Sequence, residues 1–277
     1  MEKIIADNHS KLKLSYYVFP SVAIVLFITF LYLQKAFSSD SYIAIQQNSF
    51  FYVNSKLSQY PKLIYNLTQL GDAFIFLSIL TFFLFYAPII WEALISASLI
   101  SLIFSTSLKN WFAVPRPAAV FEHNSFAIIG KVLPGYSSLP SGHSITIFTV
   151  LTVLLFSFVF KNGKIHFASA ILIILTGLSL AFTRVGVGAH YPLDVIAGSI
   201  IGYVSGITGI FISRKYKLWF WLYNKQFYPV LALLLITCSV ILIQKIMADN
   251  LPIYYLSFSG LIFSLYKITD AYIKKGT

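Results

Sequence analysis

The 277 residues are 58% hydrophobic and only 10% charged, where an ordinary soluble domain has about 25% charged residues, so a water-soluble globular protein is excluded and an integral membrane protein is indicated. A formal charge of +11 would suggest a polyanionic partner in a soluble chain; here the Lys and Arg residues report orientation in the bilayer, and no nucleic-acid partner is implied. The single cysteine, Cys238, excludes an intrachain disulfide.

Taken in chain order, eight apolar runs stand out, near 16–34, 71–87, 89–108, 142–160, 165–183, 193–213, 227–244 and 252–269. As helices they have the length to cross a hydrocarbon core of about 30 Å. The first reads as a retained anchor, because no small-x-small cleavage pattern follows it. An inside N-terminus places twelve of the 20 Lys and Arg residues on the inner side and eight on the outer side. That bias makes both termini cytoplasmic in a multi-pass inner-membrane protein. The two long connections, 35–61 and 109–141, then share the outer face, where ordered loops often carry function. Gly198, Gly202 and Gly206 recur every four residues in the sixth run and predict a face for close helix packing. The expectation is a single all-α membrane domain, 1–277, built as a helical bundle with a six-helix core. The motifs fall within 70–213, and 214–277 adds about two further C-terminal spans.

Three polar clusters interrupt this apolar background. "KNWFAVPRP" carries Lys109 and Arg116, "PSGH" carries Ser141, Gly142 and His143, and "TRVGVGAHYPLD" carries Arg184, His190 and Asp194. Alternating spans bring all three to the same, outer side. Lys109, Arg116 and Arg184 are donors without acceptor capacity, so gathering them calls for a multiply charged anion between them, and phosphate is the obvious candidate. "PSGHS" reads as a helix start whose free N–H groups and dipole favour an anion. His190 and Asp194 are four apart, a spacing that lets the carboxylate fix the ring tautomer and leave the other nitrogen to attack. His143 remains as a proton donor. One histidine as nucleophile and one as general acid suffice to cleave a phosphate ester without a metal.

These motifs, K-x6-RP, PSGH and R-x5-H-x3-D, resemble the three-part signature of the type 2 phosphatidic acid phosphatase superfamily. The resemblance covers about residues 70–213, with Thr183 where the family usually has serine before the arginine. It implies a metal-independent membrane lipid phosphatase without cofactors. Lys109, Arg116 and Arg184 would hold the phosphoryl oxygens, helped by Ser141 and Gly142. His190 would become phosphorylated, Asp194 would orient it, and His143 would protonate the departing lipid oxygen and then activate water. Expected substrates are lipid phosphomonoesters or diphosphates: undecaprenyl diphosphate, phosphatidylglycerophosphate, phosphatidic acid or lipid A. Two alternatives stand beside hydrolysis: phosphotransfer to another lipid, and a non-catalytic phospholipid-binding or transport protein. Asp72, near the outer end of the second run, is a candidate partner for a basic group of the pocket. Glu122, His123 and Lys131 are expected to face water, and His9 and His166 to lie on the cytoplasmic side, away from the site.

Overall fold

Proline is compatible with the first turn of a helix, where its missing N–H has no partner to lose. Pro61, Pro88, Pro117, Pro192, Pro229 and Pro252 all occupy that place. The computed structural model describes residues 1–160 and 162–274; Lys161 and Lys275, both counted among the inner-side cations, lie outside it. Every regular element among the described residues is helical. In order these are α1 (Glu2–Ser10), α2 (Val18–Leu33), α3 (Ser39–Ala44), α4 (Gln47–Leu57), α5 (Pro61–Thr68), α6 (Ala73–Leu80), α7 (Phe83–Tyr86), α8 (Pro88–Phe112), α9 (Pro117–Val120), α10 (Gly142–Ser157), α11 (Gly163–Gly186), α12 (Pro192–Lys215), α13 (Tyr228–Asp249) and α14 (Pro252–Ile273).

Five helical stretches are long and apolar enough to cross a membrane, and six if a bent pair counts as one span. The chain is therefore a multi-pass membrane protein, with fewer clear crossings than the eight apolar runs suggest. Each difference has a local cause. The second run, 71–87, divides into α6 and α7; at its start α5 with its following turn meets α6 at 77°, and the Asp72 side chain caps α6 by accepting from Phe74 N at 2.9 Å. A second break falls at Ala87, whose extended backbone is what the following Pro88 demands. α10 has only 16 residues, and α14, diluted by Tyr, Ser, Lys267 and Asp270, is less apolar than its neighbours.

The centre is a layer of α8, α10 and α12. Its closeness follows from the glycine stripe: a Cβ on Gly198 would sit 2.6 Å from the Ser141 carbonyl oxygen, and one on Gly206 2.6 Å from Thr152 Cβ. Gly202 meets α10 in the same way, and Gly209 lies against Ala97 of α8. No side chain fits there, so the packing face predicted for these glycines is the α10–α12 contact. α2 and α11 instead present rows of exposed Val, Leu, Ile and Phe, the faces that lipid covers.

At one end of this layer α1 is tied down by polar contacts. Asn8 donates to the Ser157 carbonyl at 2.9 Å, His9 Nε2 lies 2.9 Å from Ser157 Oγ, and Arg214 donates to the His9 carbonyl at 2.7 Å. His9 therefore sits away from the three motifs, as expected. The other end gathers 35–61, 109–141 and the α11–α12 connection. The segment 35–61, expected as a loop, is mostly helical, with Tyr42, Gln46, Phe50 and Asn54 buried at four-residue spacing. Asn54 binds the carbonyls of Ala127, Val185 and Gly186 at 3.0, 3.0 and 3.1 Å, joining the 109–141 segment to the end of α11.

Candidate active site

Lys109 projects from the last turn of α8, which stops when Ala113 adopts a left-handed conformation. The chain then turns through Val114-Pro115 to Arg116, whose backbone N donates to Gly135 O at 2.9 Å and whose guanidinium reaches the Ser137 hydroxyl and carbonyl at 3.3 and 3.4 Å. Ser141 is the N-cap of α10; its oxygen accepts from Ser144 N at 3.4 Å and Ser144 Oγ at 3.0 Å. Gly142 follows. A Cβ there would lie 3.1 Å from Lys109 Nζ, so the first and second motifs meet at that point. His143, half-buried, stacks against Gly71 in the turn before α6, so tightly that any side chain on residue 71 would overlap the imidazole.

The third motif completes the ring. Arg184, at the end of α11, is 7% exposed; Nη1 donates to Thr68 Oγ1 at 3.1 Å, and its buried Nε has no partner. A buried guanidinium nitrogen left unpaired is costly unless an anion arrives. Asp194, in the first turn of α12, is completely buried. Its Oδ2 accepts from Ser138 Oγ at 2.6 Å and Tyr191 N at 2.9 Å, its Oδ1 accepts from Tyr42 Oη at 2.8 Å, and its carbonyl accepts from Ser141 N at 3.0 Å. Asp194 thus ties the third motif to the second through its carbonyl and to α3 through its carboxylate.

His190 precedes α12 and is 1% exposed. Its Nδ1 lies 3.5 Å from Asp194 Oδ2 and makes no hydrogen bond of ordinary geometry. The orienting contact expected between them is present as proximity, with the carboxylate's strongest bonds going elsewhere. Burial first, and then the cations Arg116, Arg184 and Lys109, hold the His190 imidazole well below the usual histidine range. It is therefore neutral at physiological pH, with a lone pair available to attack. Burial, and then the neighbouring Asp194, push the Tyr42 phenol well above its usual value, so it remains a hydrogen-bond donor to the carboxylate. Among the described residues no three His, Cys, Asp or Glu side chains gather as a metal-binding group.

All eight site residues read from the sequence thus lie at one end of the bundle. Four supporting residues were not read from it: Tyr42, Thr68, Gly71 and Ser138. The spacing of Tyr42, Gln46, Phe50 and Asn54 was the available signal for the first, since a polar-aromatic stripe every four residues marks a buried helix face. Ser138 stands three residues before Ser141, but nothing in its own sequence context distinguishes it from Ser137. Asp72 pairs with Lys245, at 3.6 Å, and not with a cation of the three motifs. Glu122 and His123 are exposed as expected, whereas Lys131, though exposed, also lines a cavity reaching His143.

Residues 90–218 match the family model of the PAP2 superfamily. The lipid A 1-phosphatase of Rhizobium johnstonii is 34% identical over 111 residues, covering 39% of this chain and 41% of the relative. That of Rhizobium etli is 33% identical over 109 residues, covering 39% and 44%. The chain thus spans less than half the length of the curated relatives it matches. The crystal structure of LpxE from Aquifex aeolicus superimposes with a TM-score of 0.50 and 25% identity, covering 62% of this chain and 96% of that one. The motifs, their convergence and this fold agree in making residues 90–218 similar to the PAP2 superfamily, the type 2 phosphatidic acid phosphatases.

Proposed function

We propose that the protein is a metal-independent membrane lipid phosphatase that hydrolyses a lipid phosphomonoester or diphosphate through a phosphohistidine. The observation that carries this reading is the set of three cations around one neutral, buried histidine, with Arg184 Nε left unpaired among them. Lys109, Arg116 and Arg184 take the phosphoryl oxygens, joined by the N–H groups at the Ser141–Gly142 start of α10. His190 Nε2 attacks phosphorus while Nδ1 faces Asp194. The bond to the lipid oxygen breaks, and that oxygen leaves with a proton from His143. Water then attacks the phosphohistidine as His143 takes a proton back, releasing inorganic phosphate and restoring both imidazoles.

In this reading residues 70–213 form the catalytic core and 214–277 are additional helices. The names of the two rhizobial relatives support a phosphorylated lipid, with lipid A beside undecaprenyl diphosphate, phosphatidylglycerophosphate and phosphatidic acid as candidates. The charge bias supports an inner-membrane location with both termini cytoplasmic and the site on the periplasmic face. The test is phosphate release by purified protein in detergent. His190→Ala should abolish turnover and His143→Ala should lower it by at least about a hundredfold, the scale of general acid–base catalysis. Full activity in both variants would overturn the mechanism.

A further inference from the structure

A cavity of about 210 Å³ runs from His143 and Arg184 to the C-terminal helices. Its far wall is Lys245 and Asp249 of α13 and Tyr254 of α14, and Lys131 enters from the 109–141 segment. Three cations thus line it against one carboxylate, and that carboxylate already accepts from Tyr65 Oη at 3.2 Å. The Lys245 ammonium lies 3.6 Å from Asp72 and 5.7 Å from the centre of the Tyr254 ring, and its side chain is 35% exposed. An ammonium has three donors, so this loose pairing leaves it free to bind an incoming anion.

Lys245 is on α13, which packs against α14, and α14 is fixed against the site. Ile253 N donates to Asn66 Oδ1 at 3.0 Å, and Ser257 Oγ donates to the Ile75 carbonyl at 3.2 Å. A Cβ on Gly260 would come within 2.5 Å of the Ser78 carbonyl. The segment they grip, 66–78, also supplies Thr68 to Arg184 and Gly71 to His143. Lys245 is therefore a built part of the wall, at a set position relative to the reacting groups.

We propose that Lys245, with Lys131, forms a second anion subsite that takes another charged group of the same headgroup, a phosphodiester or a second phosphate. The ester to be cleaved meanwhile sits among Lys109, Arg116 and Arg184. This inference rests on the reading of the protein as a lipid phosphatase and adds the feature that selects its substrate. A headgroup with one phosphate leaves the subsite empty; a headgroup with two anionic groups bridges both.

The test compares phosphatidic acid, with one phosphomonoester, and phosphatidylglycerophosphate of the same acyl chains, with a phosphomonoester and a phosphodiester. In mixed micelles, Lys245→Met should lower the preference for phosphatidylglycerophosphate, as the ratio of kcat/KM values, roughly tenfold and chiefly through KM, the effect of losing one charge-assisted contact. Lys131→Met should act in the same direction, and Lys245→Arg should retain the preference. Equilibrium binding of phosphatidylglycerophosphate to the His190→Ala protein should weaken to the same extent when Lys245→Met is added. A ratio and an affinity that both stay within twofold of their reference values would overturn the subsite. Absence of phosphate release by the wild-type protein from both probes and also from undecaprenyl diphosphate and lipid A would instead overturn the phosphatase reading, while the binding measurement still judges the subsite.

Discussion

Replacing Tyr42 by phenylalanine deletes one oxygen from α3, a helix that carries none of the three motifs but reaches the third through Asp194. Tyr42 is 4% exposed and Asp194 is completely buried, so no bulk water reaches the carboxylate oxygen that loses its donor. The other two donors, Ser138 Oγ and Tyr191 N, both bind Oδ2, leaving Oδ1 bare. A buried hydrogen bond to a charged acceptor is worth about 1.5–3 kcal/mol, and most of that should appear as lost stability. In the proposed mechanism the Asp194 carboxylate also balances the charge that develops on His190 when it bonds to phosphorus. If about 1.4 kcal/mol of the loss is felt there, kcat falls about tenfold, while KM, set by the cations, moves little. Thermal unfolding in detergent and steady-state phosphate release read the two effects separately. A Tyr42→Phe protein with wild-type melting temperature and wild-type kcat would refute the idea that α3 holds the carboxylate.

Two further outcomes follow from the packing. Gly71→Ala would drive a methyl into His143 Cβ and its ring, so the imidazole or the whole turn must shift. Because the rest of the bundle is untouched, the expected result is a folded protein with at least about a hundredfold loss in kcat, the scale on which a misplaced proton donor acts; near-normal kcat would show that His143 is not the donor. At the opposite end, burial, assisted by Arg214, holds His9 at about 4, below its ordinary value of 6.5. A depressed folded-state value means that its contribution is complete above pH 6.5 and is lost as the pH falls toward 4, reaching about 2 kcal/mol by pH 5. The melting temperature should drop between pH 7.5 and 5, and His9→Gln should flatten that drop. An unchanged pH dependence would mean that other groups drive it.

The apolar runs and the three motifs were legible because each is local: a hydrophobic stretch of fixed length, or charged residues at fixed spacing inside one. Gly198, Gly202 and Gly206 were legible for the same reason, since a four-residue repeat of glycine has one physical use in a helix. What escaped were features defined by neighbours distant in the chain. Tyr42 and Asp194 are 152 positions apart, and Arg184 and Thr68 are 116 apart. Composition also misled: a segment with polar side chains between spans reads as loop, yet in 39–57 Tyr42 and Asn54 are buried, aimed at a carboxylate and at three carbonyls. The division of 71–87 into α6 and α7 was hidden because the residues on either side are apolar enough to pass for one continuous crossing.

In the proposed mechanism, the division of labour between residues 90–218 and their flanks follows from what each part of the reaction requires. Residues 90–218 supply the three cations, both histidines and Asp194, on the long helices or, for Arg116 and His190, within a few residues of their ends. Positions held by helices that cannot be tilted without opening the α8, α10 and α12 layer suit groups that must meet one phosphoryl centre, whatever lipid carries it. The flanks supply what that centre lacks. α3 closes the buried side of Asp194, the 61–72 segment fixes Arg184 and His143, and α13 places Lys245 where a headgroup would extend. Changes in the flanks can therefore alter which headgroup is accepted without moving a reacting atom. In the proposed mechanism the chemistry, by contrast, responds to Tyr42, Thr68 and Gly71, flank residues that touch Asp194, Arg184 and His143.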